Sequence, residues 1–260
     1  MYQTLIIIFI ITFVMSSKKH KLVLCHLFYE DLAFKIVKKL ESLNEENTFF
    51  LFNLGGTLHS NAPLIKTIND SLLNKIILQV PNAGRDIGAK LRLFQVAESL
   101  KINHDYTLIL HDKKSPHIKD GEKWGDELLK IIEPDYLNQI FSTFEQQKNV
   151  GIVCSSNYIQ NEYSKDTKSF LCTSNNIIKS VLHTYHIKTS NYDFVAGNIF
   201  WVRSQLLRQF FGSKLSTDKI IASLEKGGNI VDFSKGTNVH AWERIMCWIA
   251  TSQGYSIYGI

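Results

Sequence analysis

IILQVPNAGRDIGAKLRLFQVAESLKINHDYTLILHDKKS, Ile76 to Ser115, holds a complete strand–turn–helix–strand passage. Ile76 to Val80 is a short apolar run stopped by Pro81, which predicts a strand. Asn82 to Gly88, NAGRDIG, predicts a loop. From Ala89 to Leu100 the residues Leu91, Phe94, Ala97 and Leu100 share one helical face. Tyr106 to Leu110 predicts the next strand, and HDKKS, His111 to Ser115, follows it. A strand regained through a helix pairs in parallel by a right-handed crossover. Sheets of this kind bind ligands at the carboxyl ends of their strands, and both polar loops fall at that edge.

The same unit repeats upstream. Lys21 to Leu27 predicts a strand, and the helix beginning at Asp31 places Leu32, Ile36, Val37 and Leu40 on one face. Thr48 to Leu54 predicts a buried strand ending at Gly55-Gly56, and Pro63 sits near the start of a helix running through Leu64, Ile68 and Leu72. Downstream, a helix runs from Pro134 to about Glu145, Gly151 to Cys154 predicts a fifth strand, and the pattern then loosens. The polar stretches Asn157 to Ser169 and Ser174 to Ser180 predict a loop and a partly helical connector. Gly227-Gly228 and Lys235-Gly236 bracket a loop before a last helix on which Trp242, Ile245, Met246 and Ile249 share a face. The expectation is one α/β domain over residues 18–260, a mostly parallel central sheet flanked by helices, with residues 18–155 and 156–260 as its two halves.

The 260 residues, 45% hydrophobic and 20% charged, can bury one sizeable core. A net charge of +5 suits an anionic partner, but the basic residues are spread among acids rather than gathered into a stripe, which argues against a nucleic-acid face. Cys25, Cys154, Cys172 and Cys247 form no metal-ligand spacing and are expected to be small buried hydrophobes in a reducing compartment. LIIIFIITFVM, Leu5 to Met15, is shorter than the ~20 residues of a membrane span. Its lysines follow rather than precede the apolar run, against the signal-peptide pattern. Residues 1–17 are therefore set outside the fold, with Met15 as an alternative start and a weak interfacial anchor as another reading.

Four segments carry polar side chains suited to chemistry. In NAGRDIG, Gly84 and Gly88 allow close backbone approach, the helix N-terminus can face an anion, Arg85 offers a forked cation, and Asn82 and Asp86 offer hydrogen bonds. In HDKKS, the single carboxylate of Asp112 beside His111, Lys113 and Lys114 is a poor ligand set for Mg²⁺ or Mn²⁺, so fixed cations are favoured over metal. In FVAGNIFWVR, Phe194 to Arg203, the pair Ala196-Gly197 lets a ligand approach and Asn198 can hydrogen-bond a sugar, while Phe200 and Trp201 belong to the core. HAWER places His240, Glu243 and Arg244 in the first turn of the last helix; Glu243 or His240 can serve as a base, or Glu243 simply favours the helix dipole.

Taken together, HLFY at His26 to Tyr29, NAGRDIG, YTLILHDKKS, Trp124, FVAGNIFWVR and HAWER resemble the rhamnan synthesis F family over nearly all of the chain after Lys21. The resemblance implies an inverting glycosyltransferase of rhamnose-containing polysaccharides or lipopolysaccharide O-chains. Its donor would be dTDP-L-rhamnose and its acceptor a glycan or lipid-linked glycan. More distantly the layout is similar to the GT-A, Rossmann-like fold of family 2 transferases. There an acidic motif at a strand end holds metal, and a Glu-Asp pair opening a late helix supplies the base. Glu243 matches the first acid of that pair while Arg244 replaces the second, and the strand-end motif is reduced to His111-Asp112-Lys113. On this reading Glu243 and His240 serve catalysis. Asn82, Gly84, Arg85, Asp86, His111, Asp112, Lys113 and Lys114 hold the donor, and Ala196, Gly197, Asn198 and Arg244 the acceptor. Asp112 would be the metal ligand if a metal is used. A cytoplasmic site, at or near the inner face of a membrane, is implied. The alternative is a noncatalytic glycan- or nucleotide-sugar-binding module.

Overall fold

The computed structural model describes residues 18–80, 84–114, 121–226 and 236–260. Asn82 lies outside them. The strands are β1 Lys21–Leu27, β2 Thr48–Leu54, β3 Asn74–Leu78, β4 Tyr106–His111, β5 Val150–Cys154, β6 Ile159–Asn161, β7 Tyr163–Ser164, β8 Ser169–Phe170, β9 Asp193–Val195, β10 Phe200–Arg203 and β11 Ser256–Gly259. The helices are α1 Glu30–Leu40, α2 Ala62–Ser71, α3 Arg85–Ser99, α4 Gly121–Leu128, α5 Pro134–Gln146, α6 Asn175–Thr184, α7 Ser204–Phe211, α8 Lys214–Lys226 and α9 Asn238–Thr251.

Seven strands form the central sheet in the order β11-β5-β10-β4-β1-β2-β3. All neighbours are parallel except β10, which runs antiparallel to both β4 and β5. Because the strands are buried on both faces they read as continuous apolar runs, and two cores result. One packs α3, α7, α8 and α9 against one face, through residues such as Leu91, Phe94, Leu224, Trp242 and Trp248. The other packs α1, α2 and α5 against the opposite face, through Val37, Leu64, Phe144 and Trp201. Trp201 and Phe200 are fully buried, as expected of core residues. Cys25, Cys154 and Cys247 are buried, Cys172 is half-buried, and all four are free thiols. No described helix is long and apolar enough to cross a membrane.

Several details depart from the sequence reading, among them the short strands β6 and β7 inside the predicted loop Asn157 to Ser169. The third strand starts at Asn74 and ends at Leu78, two residues earlier at each end than the apolar run suggests, because it pairs with β2 from Phe49 onward. The helix of NAGRDIG begins at Arg85, not Ala89, so its polar residues form the first turn of α3. Finally, α9 starts at Asn238 on the Thr237 cap, which puts Glu243 and Arg244 in its second turn rather than its first.

This topology decides what meets at the carboxyl edge. The parallel strands β1 and β4 bring His26 and His111 there as register partners. Since β10 is antiparallel, its amino end lies at that same edge and delivers residues 196–198. Helix α9 runs down into β11, which is parallel to β5, so the start of α9 also faces this edge.

The opposite edge is tied by His104, whose fully buried ring lies 3.0 Å from Glu98 Oε1 and 3.2 Å from Thr107 Oγ1. Burial, reinforced by the Arg208 charge, lowers its pKa to about 4. Between that value and the ordinary one the unfolded chain binds a proton that the folded protein does not. The contribution of His104 is thus complete above its unfolded pKa and is lost as pH falls toward 4. Urea unfolding is expected to show a loss of about 2 kcal/mol between about pH 7 and about pH 5 from this group. A His104→Gln variant should lack that part of the pH dependence; an unchanged slope would exclude His104 as its source.

Candidate functional site

Helix α3 opens with two consecutive left-handed residues, Gly84 at φ 74° and Arg85 at φ 51°. Glycine is required at the first, because a Cβ there would lie 2.7 Å from Leu224 Cβ of α8. The tight entry leaves the first amides of α3 facing the edge, an arrangement that favours anions. One turn on, Lys90 is 1% exposed. Its Nζ lies 2.9 Å from Asp86 Oδ2, 2.8 Å from His111 Nδ1 and 3.0 Å from the Asn198 carbonyl oxygen. An ammonium has three protons and no acceptor, so each of these groups accepts one. His111 is then the tautomer carrying its proton on Nε2.

The electrostatics follow from that centre. Burial works to raise the Asp86 pKa, but the ammonium beside it prevails and holds the carboxyl far below its usual range. Burial pushes His111 well below its ordinary value, and the Lys90 charge adds to this, so the ring is neutral. Burial also lowers the Lys90 pKa against the opposing pull of Asp86.

The turn before β10 repeats the left-handed device, with Gly197 at φ 94° and Asn198 at φ 51°. A Cβ on Gly197 would come 2.6 Å from Leu128 Cδ1 and 3.6 Å from Trp124 Cζ2, so α4 closes directly over it. Asn198 is 1% exposed, and neither its Nδ2 nor its Oδ1 has a partner among the described residues. Buried polar groups are almost always satisfied, so an unsatisfied buried amide marks a place for a ligand or water. Ala196 is buried beside it. The Lys113 ammonium lies 4.7 Å from the centre of the Trp124 ring, which stacks on Tyr158 at 5.8 Å.

Glu243 reaches this turn from α9. Its Oε1 accepts from the Gly197 amide at 2.9 Å and its Oε2 from Arg244 Nη1 at 2.9 Å. Arg244 is engaged further, by Glu162 Oε2 at 2.9 Å, the His240 carbonyl at 3.0 Å and the Phe194 ring at 4.7 Å. It holds Glu243 in place. His240 Nδ1 lies 3.1 Å from Thr237 Oγ1, which leaves Nε2 without a hydrogen-bond partner among the described residues. Burial lowers the His240 pKa, with Glu243 opposing and the Arg85 charge adding, so the ring stays neutral at neutral pH.

The residues after β4 divide. Asp112 is buried, and its Oδ2 accepts the backbone N–H groups of Phe28 at 2.6 Å and Tyr29 at 2.5 Å. It thereby fastens HLFY to the sheet edge. Burial raises its pKa to about 6 despite those two bonds. Lys113 turns inward, where its charge acts on Asp86, His111 and His240. Lys114 turns outward, onto Asp31 of α1 and over the Tyr29 ring at 5.5 Å. The loops carrying Arg85 and Lys113 thus meet at one edge, joined through Lys90, while Lys114 stands apart.

The transferase resemblance raises the question of a divalent ion. Such an ion needs several oxygen or nitrogen donors at once. Asp86, His111 and the Asn198 carbonyl already receive the Lys90 protons, and Asp112 Oδ2 receives two backbone N–H groups. No cluster of three or more His, Cys, Asp or Glu side chains suited to a metal occurs among the described residues. The described residues do not fit a divalent ion. The crevice between α1 and α4, walled by Leu32, Ile36, Gly125 and Leu129, also takes in Lys35, Asp126 and Lys113 of the segment after β4.

Lys90 is the residue that sequence reasoning missed. Its signal was present: it stands in the stripe formed by Ile87, Leu91 and Phe94, four residues after Asp86, where a charge has no place unless it is paired.

The uncharacterized protein WxcX in two strains of Xanthomonas campestris pv. campestris is 27% identical over 183 residues, covering 68% of this chain and 24% of each relative. The chain therefore spans about a quarter of the length of the curated relatives it matches. The family model described as Rhamnan synthesis protein F matches residues 6–255, so that strand-end loops, glycine turns and the last helix all fall within it, and the chain belongs to the rhamnan synthesis protein F family.

Proposed function

We propose that the domain transfers a deoxyhexose, rhamnose from dTDP-L-rhamnose, to a hydroxyl of a growing glycan. The family's name points to polysaccharide synthesis, and the site supports reading that role as a transfer reaction. The observation that supports it most is the carboxyl-edge cluster in which a helix N-terminus, two cations and a buried, unpartnered amide converge. The α3 amides, Arg85 and Lys113 bind the diphosphate and stabilise its charge as it departs. The Asn198 side chain takes the hydroxyls of a sugar. Glu243 or neutral His240 accepts the proton of the attacking hydroxyl as an oxocarbenium-like sugar forms. Arg244 acts by holding Glu243 rather than by touching the acceptor.

A second reading, glycan or nucleotide-sugar binding without turnover, is favoured by one observation: both oxygens of Glu243 already accept hydrogen bonds. Titration with dTDP-L-rhamnose in EDTA is the first test. Binding is expected, and Arg85→Ala or Lys113→Ala should weaken it at least about tenfold, the loss of one charge-assisted contact. Lys114→Ala should weaken it much less, because that ammonium is held by Asp31. Equal affinity in all three variants would remove the donor site from this edge.

A further inference from the structure

Lys90 connects three separate parts of the chain. Asp86 comes from the first turn of α3, His111 from the end of β4, and the Asn198 carbonyl from the turn before β10. One carboxylate, one imidazole and one carbonyl, converging from three directions within 3.0 Å of a single point, are donors of the kind a divalent ion collects. Here an ammonium of this chain is at that point, fully enclosed and with all three protons donated.

We propose that Lys90 is the resident cation of the site, holding by covalent attachment the position that a divalent ion would otherwise occupy. The inference rests on the transfer reading for its purpose, but its geometry is independent of the donor's identity. Lys90 is a positioning residue. With no proton left to give, it does not contact the diphosphate. It keeps the Asn198 backbone in its left-handed conformation, fixes the His111 tautomer and neutralises Asp86. A Lys side chain suits this place because its point charge can gather three acceptors around one nitrogen.

Removing the side chain should expose a cation site that the wild-type protein does not have. Wild type, Lys90→Ala and Lys90→Ala/Asp86→Asn would be titrated with Mn²⁺, following the free-ion signal by electron paramagnetic resonance. Lys90→Ala is expected to bind Mn²⁺ at least tenfold more tightly than wild type, and the double variant to return to the wild-type value. Mn²⁺ should also raise the unfolding temperature of Lys90→Ala and not that of wild type, since a ligand bound only by the folded state stabilises it. If Lys90→Ala is recovered unfolded, the same titration of Lys90→Gln decides. No gain in either variant, or tight Mn²⁺ binding by wild type, overturns the proposal. The readout separates the two hypotheses: a gain of Mn²⁺ binding in a protein that binds no nucleotide sugar defeats the transfer reading alone. Nucleotide-sugar binding without any such gain defeats this one alone.

Discussion

Lys90→Met should lower the unfolding free energy by about 3–5 kcal/mol, read as a fall in the urea midpoint at unchanged slope. The side chain is 1% exposed and donates three hydrogen bonds. Methionine keeps an unbranched apolar stem, one atom shorter, but leaves Asp86, its carboxylate one-fifth exposed, without the cation that offsets its burial. It also leaves His111 Nδ1 and the Asn198 carbonyl without their donor. An uncompensated charge costs more than the pair was worth, which is why breaking a buried pair is far more damaging than replacing both partners. The double variant Lys90→Met/Asp86→Leu should accordingly recover most of the loss. A single variant as stable as wild type would mean that Lys90 leaves this cluster in solution. A double variant no better than the single would locate the damage at His111 and Asn198.

Glu243→Gln should reduce kcat by about 10²–10⁴-fold, the usual contribution of a positioned base, while changing donor affinity little. Glutamine can still accept from the Gly197 amide through its carbonyl oxygen, so the turn carrying Asn198 keeps its support. What disappears is the ability to take a proton. His240→Gln is the companion measurement. Burial lowers the His240 pKa, so a rate governed by that ring would hold its plateau to a pH below the ordinary histidine value before falling. A large loss in Glu243→Gln with a small one in His240→Gln assigns the base to the carboxylate, and the reverse assigns it to the imidazole. Wild-type turnover in Glu243→Gln would remove that carboxylate from catalysis, and absence of donor consumption in the wild type itself would leave binding without transfer.

Much of this architecture was legible in the chain. Alternating apolar runs and amphipathic helices announce parallel strands linked by crossovers, since a strand buried on both faces must be apolar throughout and its covering helix only on one side. The glycines of NAGRDIG and AGN mark places of close backbone approach; Gly84 and Gly197 take the left-handed conformation that few other residues adopt without strain, while Gly88 lies inside α3. Local pattern therefore determined the fold class, the edge at which polar loops gather and the candidate residues themselves. It could not determine which side chains meet. Lys113 and Lys114 are adjacent in sequence, yet one faces Trp124 and the other Asp31, a division set by where α1 and α4 pack. Asp112, next to them, spends its carboxylate on the backbone of Phe28 and Tyr29. Lys90 draws together residues 4, 21 and 108 positions away, and only the tertiary structure brings them within reach. Hydrophobic periodicity is a property of neighbouring residues, whereas the charge balance of a buried site depends on groups that the chain returns to the same place from far apart.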